Sequence, residues 1–197
     1  MFGHVIGFLA TPNREWEKIG AKPAPENGIV YTLVLAVLPV VAWYYGVTAI
    51  GWRVADGEII RLTTTSAAVL VSLFYLAMIA AVGCIGYFVH WMARNYGSES
   101  TLLQGITVVG YCATPMFVLG LVGFYPILWL DMLVAVLAVS WSLYLLYIGI
   151  PAVMHIPKEQ GFLFASAIVA VCLVILIGMM GVTVVLWDMG LMPVFAD

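Results

Sequence analysis

The sequence predicts an all-α, polytopic integral membrane protein with five transmembrane helices and an N-terminal interfacial amphipathic segment. A helix rising about 1.5 Å per residue needs about 20 apolar residues to cross a hydrocarbon core of roughly 30 Å. Only 9% of the residues are charged and 64% are hydrophobic, whereas a soluble domain has about 25% charged residues. Five uncharged apolar runs are long enough to span the bilayer: residues 29–51, 67–89, 102–130, 132–154 and 162–187.

These runs divide the 197 residues into three parts. We expect residues 1–28 to form a cytoplasmic interfacial segment, residues 29–187 the five-helix domain, and residues 188–197 a short non-cytoplasmic tail. The formal charge of −3 gives no basis for nucleic acid binding. The cysteines lie inside the predicted spans without CxxC spacing, and we expect neither a metal site nor a cofactor.

The N-terminal segment has the pattern of two short amphipathic helices. Thr11 can cap the second helix and Pro12 can begin it. Trp16 and Ile19 then lie on its apolar side, with Glu15 among the polar residues elsewhere. This pattern predicts helices in the plane of the lipid headgroups. The first helix has four apolar residues at the spacing of one face: Phe2, Val5, Ile6 and Leu9.

The first two spans each contain a local signal. Pro39 removes a backbone donor from span one, which predicts a kink. Small residues recur at short helical spacing in span two, and such residues let helix backbones approach closely, which predicts a helix central to the bundle. They are Ala77, Ala80, Ala81, Gly83, Cys84 and Gly86.

Span three combines four glycines with Pro115, which predicts an interrupted helix. Tyr111, Thr114 and Pro115 could line a pocket where the break exposes backbone carbonyls to a cavity. The alternative is a kink that serves packing alone. The sequence leaves both interpretations open.

The distribution of basic residues predicts the orientation, because Lys and Arg are enriched in cytoplasmic loops. Counted on alternate sides of the five spans, one side carries five such residues and the other carries two. We therefore expect the N-terminus in the cytoplasm and the C-terminus on the opposite face of the cell inner (plasma) membrane. The five are Arg14, Lys18, Lys22, Arg94 and Lys158, and the two are Arg53 and Arg61.

Two stretches of the chain resemble a known family. Residues 11–19, TPNREWEKI, and residues 110–115, GYCATP, together with the five-span layout, resemble the Yip (Ypt-interacting protein) family of membrane proteins. The resemblance covers nearly the whole chain. Eukaryotic relatives are associated with Rab-type GTPases and vesicle traffic and have a long cytosolic N-terminal region. With about 28 residues before span one, this chain is similar to the compact bacterial branch, for which the resemblance implies fold and topology.

Four polar residues are further candidates for a functional site. Asp131 lies inside span four and Asp188 at the end of span five, on the same side, where they could share a cation or a proton. Both could equally be interfacial carboxylates in contact with water. His90 and His155 lie at the ends of spans two and four, on the side of the membrane away from Asp131 and Asp188. A metal site and ordinary interfacial positions are the alternatives for these two histidines.

No catalytic motif is present, and we expect no enzyme activity. The leading hypothesis is a membrane-organising or partner-binding protein, with the lipid bilayer and a membrane-protein partner or a second copy as its contacts. The alternative is a small ion or proton channel or transporter that uses Asp131 and the broken third span. A water-filled cavity reaching Asp131 favours the transporter, and a solid bundle with an exposed apolar groove favours partner binding.

Overall fold

The computed structural model describes residues 2–21, 28–53, 57–95 and 97–196. Two short helices precede the first span, and a small antiparallel hairpin follows it. The helices are α1 (Phe2–Ala10), α2 (Pro12–Gly20), α3 (Gly28–Leu35), α4 (Val37–Tyr45), α5 (Thr64–Asn95), α6 (Leu102–Cys112), α7 (Thr114–Leu119), α8 (Leu128–Met154) and α9 (Lys158–Asp188). A π-helical turn (Gly46–Ile50), strands β1 (Trp52–Arg53) and β2 (Ile59–Ile60), and a 3₁₀ turn (Gly120–Phe124) complete the described elements.

The predicted all-α, polytopic membrane fold is confirmed by helix length and composition. Four segments are long and apolar enough to cross a bilayer: Gly28–Ile50, Thr64–Asn95, Leu128–Met154 and Glu159–Asp188. The fifth candidate span is a bent pair, Leu102–Cys112 and Thr114–Phe124, whose axes differ by 41°. The described helices are therefore those of a multi-pass membrane protein with four spans, or five if the bent pair crosses as one.

Span one is interrupted at Ala36, between α3 and α4. Pro39 has no amide hydrogen to donate to the carbonyl of Leu35 four residues earlier. The helix therefore breaks in the turn before the proline, as the sequence predicts. A Cβ atom on Gly120 would lie 2.7 Å from the Pro39 ring carbon Cβ, so the proline packs directly against the end of span three.

Span two is peripheral, and the prediction that it lies at the centre of the bundle is wrong. Only 6% of the most apolar window of α5 is buried inside the protein, against 33% for span one and 28% for α8. Gly86 does make the expected close contact, since a Cβ there would lie 2.6 Å from Ile106 Cα. Gly83 does not, because a Cβ there would have nothing within 4 Å. At Gly86, therefore, α5 lies directly against α6, whereas at Gly83 it faces open space.

The C-terminal tail lies over the end of the bundle at which α5 begins. The Thr63 amide donates to the Val194 carbonyl at 2.9 Å, and the Val194 amide donates to Ser66 Oγ at 3.0 Å. Leu62 forms a β-bridge with Phe195. The tail, the β1–β2 hairpin and the start of α5 thus share one face of the protein.

Candidate functional site

Tyr111 lies at the centre of an aromatic cluster built from four helices. Its ring centroid lies 5.1 Å from Phe8 of α1, 6.3 Å from Trp16 of α2 and 4.7 Å from Tyr31 of α3. Phe8 and Trp16 are also in contact, with an edge arrangement at 4.8 Å. Phe8 is fully buried, Trp16 is 1% exposed and Tyr111 is 4% exposed. The two sequence stretches that resemble the Yip family therefore meet in space.

The break in span three is closed by hydroxyl groups from spans three and one. Pro115 cannot donate to the Tyr111 carbonyl four residues earlier, and Thr114 Oγ1 donates to that carbonyl instead at 2.7 Å. The Tyr31 hydroxyl in turn donates to Thr114 Oγ1 at 2.8 Å. Thr114 and Pro115 are buried. The freed carbonyl is thus satisfied within the protein, and the network ties span one to span three.

The α1–α2 pair packs along the second half of α8. A Cβ on Gly149 would lie 2.6 Å from the Trp16 ring, and a Cβ on Gly20 would lie 2.5 Å from the Ala152 carbonyl oxygen. Trp141 Nε1 donates to the Phe8 carbonyl at 3.0 Å. The contacting residues follow one another in the same order along α2 and α8, so the two helices run in the same direction. A helix parallel to a spanning helix does not lie in the headgroup plane, so the structure differs from that expectation for α2. The cytoplasmic location of residues 1–28 stays a prediction, and residues 22–27 lie outside the described part of the chain.

The buried face of α1 differs from the sequence expectation. Phe8 is fully buried, whereas Ile6 is 67% exposed and Leu9 is 38% exposed. Gly7 explains the difference, because the space that a Cβ would occupy there is filled by the Glu15 side chain. The expected Trp16 and Ile19 face of α2 is confirmed, since both side chains are buried.

Glu15 was expected among the polar residues of α2 but is only 5% exposed. Lys18 Nζ donates to its Oε1 at 2.6 Å, and His4 Nδ1 donates to its Oε2 at 3.1 Å. Burial raises the pKa of the Glu15 carboxyl. The hydrogen bonds and charges of Lys18 and His4 together lower it by more than burial raises it, so the resulting pKa lies below the usual value. The ionised carboxylate therefore joins α1 to α2.

Asp131 lies in the first turn of α8 and is half-buried. Its Oδ1 atom is buried without a hydrogen-bond partner. Neither Arg53 nor Arg61 forms an ion pair with it in the structure that is described; Arg61 Nε instead donates to the Ile50 carbonyl at 3.4 Å. Asp188 is exposed at the last residue of α9. A functional role for either carboxylate stays a prediction.

The two histidines lie in different surroundings. His90 is half-buried, and its Nδ1 lies 3.4 Å from Ser100 Oγ. His155 is exposed and ends α8 in a left-handed conformation with φ of 54°. Among residues 2–21, 28–53, 57–95 and 97–196, no group of three or more His, Cys, Asp or Glu residues could hold a metal ion.

An open apolar groove of about 470 Å³ lies between α5 and α9. Its α5 wall carries small side chains at Ala77, Ala80, Ala81 and Cys84, and larger ones at Leu70, Leu73 and Phe74 nearer the start of the helix. The α9 wall is formed by larger apolar residues of the C-terminal half of that helix, among them Leu186. Asp131 does not line this groove. The small residues predicted in span two therefore do lie on a common face, but most of them line the open groove.

Comparison with known proteins identifies the family of this chain. The Yip1 domain model matches residues 6–179. The chain belongs to the Yip1 domain family. It is 38% identical over 193 residues to "Inner membrane protein YohC" of Escherichia coli strain K12, covering 95% of this chain and 97% of that protein. The same figures hold for "Inner membrane protein YohC" of Escherichia coli O6:H1 strain CFT073. No solved structure matches the chain.

The family match begins within α1 and ends within α9, so this Yip1 domain includes the α1–α2 pair as well as the spans. The resemblance based on residues 11–19 and 110–115 is confirmed. The sequence did not reveal His4, Phe8, Tyr31 and Gly149 as partners of the two motifs, because their contacts depend on how distant segments cross. Gly149 in α8, which leaves room for the large Trp16 ring, is a sequence feature that could have indicated one of these contacts.

Proposed function

We propose that this chain is a non-catalytic, multi-pass inner membrane protein that binds a transmembrane helix of a partner in the groove between α5 and α9. The observation that supports this most directly is the small-residue wall of the groove. In a bilayer, helix association gains little from the hydrophobic effect and depends on close backbone packing at small residues. Ala77 and Ala81, four residues apart, leave room for such an approach.

The other end of α5 supports the same interpretation. There Gly86 brings α5 against α6, with a Cβ at Gly105 lying 3.1 Å from the His90 amide nitrogen. One helix thus uses small residues to bind a neighbour at one end and presents small residues to an open groove at the other. Acyl chains fill such a groove in the absence of a partner, but they need no small-residue stripe.

Cys84 provides a native probe of the groove. It is exposed and lines the groove, whereas Cys112 is buried and Cys172 is half-buried. Treatment of intact membranes with a membrane-permeant maleimide that carries a photoreactive benzophenone, followed by illumination, is expected to give a crosslinked adduct that the Cys84→Ser variant lacks, because the benzophenone inserts into C–H bonds and needs no thiol on the partner. An adduct of twice the monomer mass identifies a second copy, and another mass identifies a different membrane protein. Equal crosslinking in both variants, or none in either, contradicts helix binding here.

The proposed orientation follows the relative's name and the charge count. YohC is named an inner membrane protein, and the five basic residues that the count places together would face the cytoplasm. In intact cells, an impermeant thiol reagent is expected to label Asp188→Cys and to spare Lys158→Cys, both in a Cys84→Ser background. The reverse labelling contradicts the orientation and leaves the groove proposal standing.

A second candidate function rests on Asp131. Its buried, unpartnered Oδ1 is the kind of intramembrane carboxylate that can bind a proton or a cation. If the chain transports such an ion, Asp131→Asn is expected to abolish ion flux into proteoliposomes while Asp188→Asn, at an exposed helix end, retains it. Equal flux through wild type, Asp131→Asn and protein-free liposomes contradicts this candidate.

A further inference from the structure

The α1–α2 pair is a helical hairpin whose turn reaches down the side of α8. Gly20, at the end of α2, lies against Ala152 near the end of α8. The turn itself, residues 10–14, lines a groove of about 660 Å³ together with Trp141 and Tyr144. A hydrogen bond from Trp141 Nε1 to a carbonyl of α1 holds the end of α1 at the same level. The turn is therefore the part of the pair that lies furthest from the end of α8.

The length of α8 sets the depth of this turn in the membrane. Its 27 residues correspond to about 40 Å, which exceeds a hydrocarbon core of roughly 30 Å by about 10 Å. Tyr144 precedes the last residue of α8, Met154, by ten residues, or about 15 Å. Even if the whole excess projects from this end, Tyr144 lies about 5 Å inside the hydrocarbon. Asp131 in the first turn of α8 disfavours a deeper start of that helix.

Arg14 at this turn and Glu17, one helical turn nearer the membrane boundary, have no partners in the described chain. Both side chains are exposed and lie on the same face of α2. Among the described residues, the ion pairs are those that Glu15 forms with Lys18 and His4. A guanidinium among acyl chains is costly and normally pairs with an opposite charge or faces water. Another molecule or water therefore has to cover this face.

We propose that a second copy of the chain covers it, with Arg14 of each copy paired with Glu17 of the other. A two-fold axis brings the same surface of both copies together, so one cation and one anion on that surface satisfy each other twice. An axis along the membrane normal gives both copies the same orientation. Arg14 and Glu17 are then offset by about 4.5 Å along the helix, which the long Arg side chain covers by extending towards the headgroups.

The aromatic wall of the groove gives this surface an apolar part as well. Trp141 and Tyr144 are 37% and 41% exposed, and their ring centroids lie 5.4 Å apart. The surface thus combines aromatic contact area with one unpaired charge of each sign, which matches a second copy of itself. It is separate from the α5–α9 groove and does not depend on the function proposed for that groove.

Energy transfer between donor-labelled and acceptor-labelled copies in liposomes, measured over a range of protein-to-lipid ratios, tests the proposal. The labels are attached to a C-terminal peptide tag, and every chain carries Ala81→Leu so that the α5–α9 groove does not contribute. We expect self-association in this background. Arg14→Glu and Glu17→Arg are each expected to lower the association constant at least about tenfold, because each change places like charges opposite one another in both pairs.

Recovery on mixing is the decisive observation. When Arg14→Glu copies are combined with Glu17→Arg copies, opposite charges face each other again in both pairs, and we expect association to return to the level of the Ala81→Leu background. The double variant Arg14→Glu/Glu17→Arg is expected to recover in the same way. Arg94→Glu is the matched control, because Arg94 is also exposed without a described ion pair but lies at the end of α5. It is expected to change association less than about twofold.

The proposal is overturned by a chain that stays monomeric at every protein-to-lipid ratio, which leaves water or lipid to cover Arg14. Unchanged association in Arg14→Glu, or no recovery on mixing, overturns it as well. Both side chains are exposed in the single chain, so the thermal midpoint of the monomer in detergent is expected to stay unchanged in each variant. Where a charge reversal lowers that midpoint, Arg14→Gln and Glu17→Gln remove the pairs without adding repulsion, and unchanged association in both contradicts the pairing.

Discussion

The two ends of the bundle are built differently although both consist of apolar helices. In the packed half, α1 and α2 lie against α6 and the second half of α8, and Trp16, Phe8 and Tyr111 are almost fully buried. In the open half, the N-terminal part of α5 and the C-terminal part of α9 leave a groove beside Ala77 and Ala81. Hydrophobicity alone therefore does not determine packing in this membrane protein. Large aromatic residues facing glycines close one end, whereas at the other end small residues of α5 line an open groove opposite larger residues of α9.

Trp16→Ala is expected to have the largest effect, because it empties the centre of the packed half. Removal of a buried tryptophan costs about 3–5 kcal/mol of unfolding free energy, and Trp16 is 1% exposed. Trp129→Ala in the open half, where the side chain is 68% exposed, is expected to cost less than about 1 kcal/mol. Chemical unfolding in a single detergent measures both. Similar costs contradict the division into two halves.

Gly86→Leu and Gly83→Leu form a matched pair on one helix. A side chain at position 86 meets the backbone of Ile106, whereas one at position 83 meets open space. Overpacking against backbone is expected to cost about 1–3 kcal/mol or more at position 86 and to leave position 83 near wild type. Thermal midpoints in detergent compare the two. A Gly83→Leu midpoint as low as that of Gly86→Leu shows that α5 packs elsewhere than described.

Thr114→Val tests the closure of the broken span. The change leaves the Tyr111 carbonyl and the Tyr31 hydroxyl without their buried partner and is expected to cost about 1–3 kcal/mol. Thr183 makes a similar bond to the Met179 carbonyl but is exposed in the open half. Thr183→Val is therefore the control and is expected to be nearly neutral in the same unfolding assay. The closure is disproved if the two valine variants have equal stability.

Glu15→Gln is expected to have the smallest effect and to depend on pH. The Glu15 pKa in the folded protein lies below its usual 4.5, so the ionised group stabilises the fold above that pH, and the stabilisation is lost as pH falls through the folded pKa. Because Lys18 is 65% exposed, the pair is worth only about 0.2–1 kcal/mol.

The measurement is the thermal midpoint of wild type, Glu15→Gln and the exposed control Glu17→Gln across pH 3–7 (about the range in which carboxyl groups titrate). Wild type should exceed Glu15→Gln at neutral pH and converge with it in acid. A constant gap across that range would falsify the assigned role of the ionised carboxylate.

The spans were predictable because an uncharged run of bilayer length has few alternatives in a folded protein. The breaks near Pro39 and Pro115 were predictable for a similarly local reason, the missing proline amide. By contrast, Gly83 and Ala81 look like Gly86 in sequence, and only the crossing point of α6 distinguishes them. The buried face of α1 was missed because nine residues define a helical period poorly and because Gly7 admits the Glu15 side chain.

The candidate site was predictable in part for the same reasons. Tyr111, Thr114 and Pro115 lie together because they are neighbours in one helix turn. Their partners Phe8, Tyr31 and Trp16 come from three separate helices, and no local pattern pairs them. A buried Glu15 could not be expected from a short charged helix, since its burial depends on Lys18 and His4 satisfying both carboxylate oxygens.

The central claim is that the open half is reserved for a partner helix while the packed half holds the fold. The most direct measurement is the yield of the Cys84 crosslinked adduct in native membranes from the Ala81→Leu variant, which narrows the groove without touching the packed half. The account predicts that the adduct is lost while the thermal midpoint of the monomer in detergent stays at the wild-type value. An undiminished adduct, or a fall in midpoint as large as that of Gly86→Leu, contradicts it.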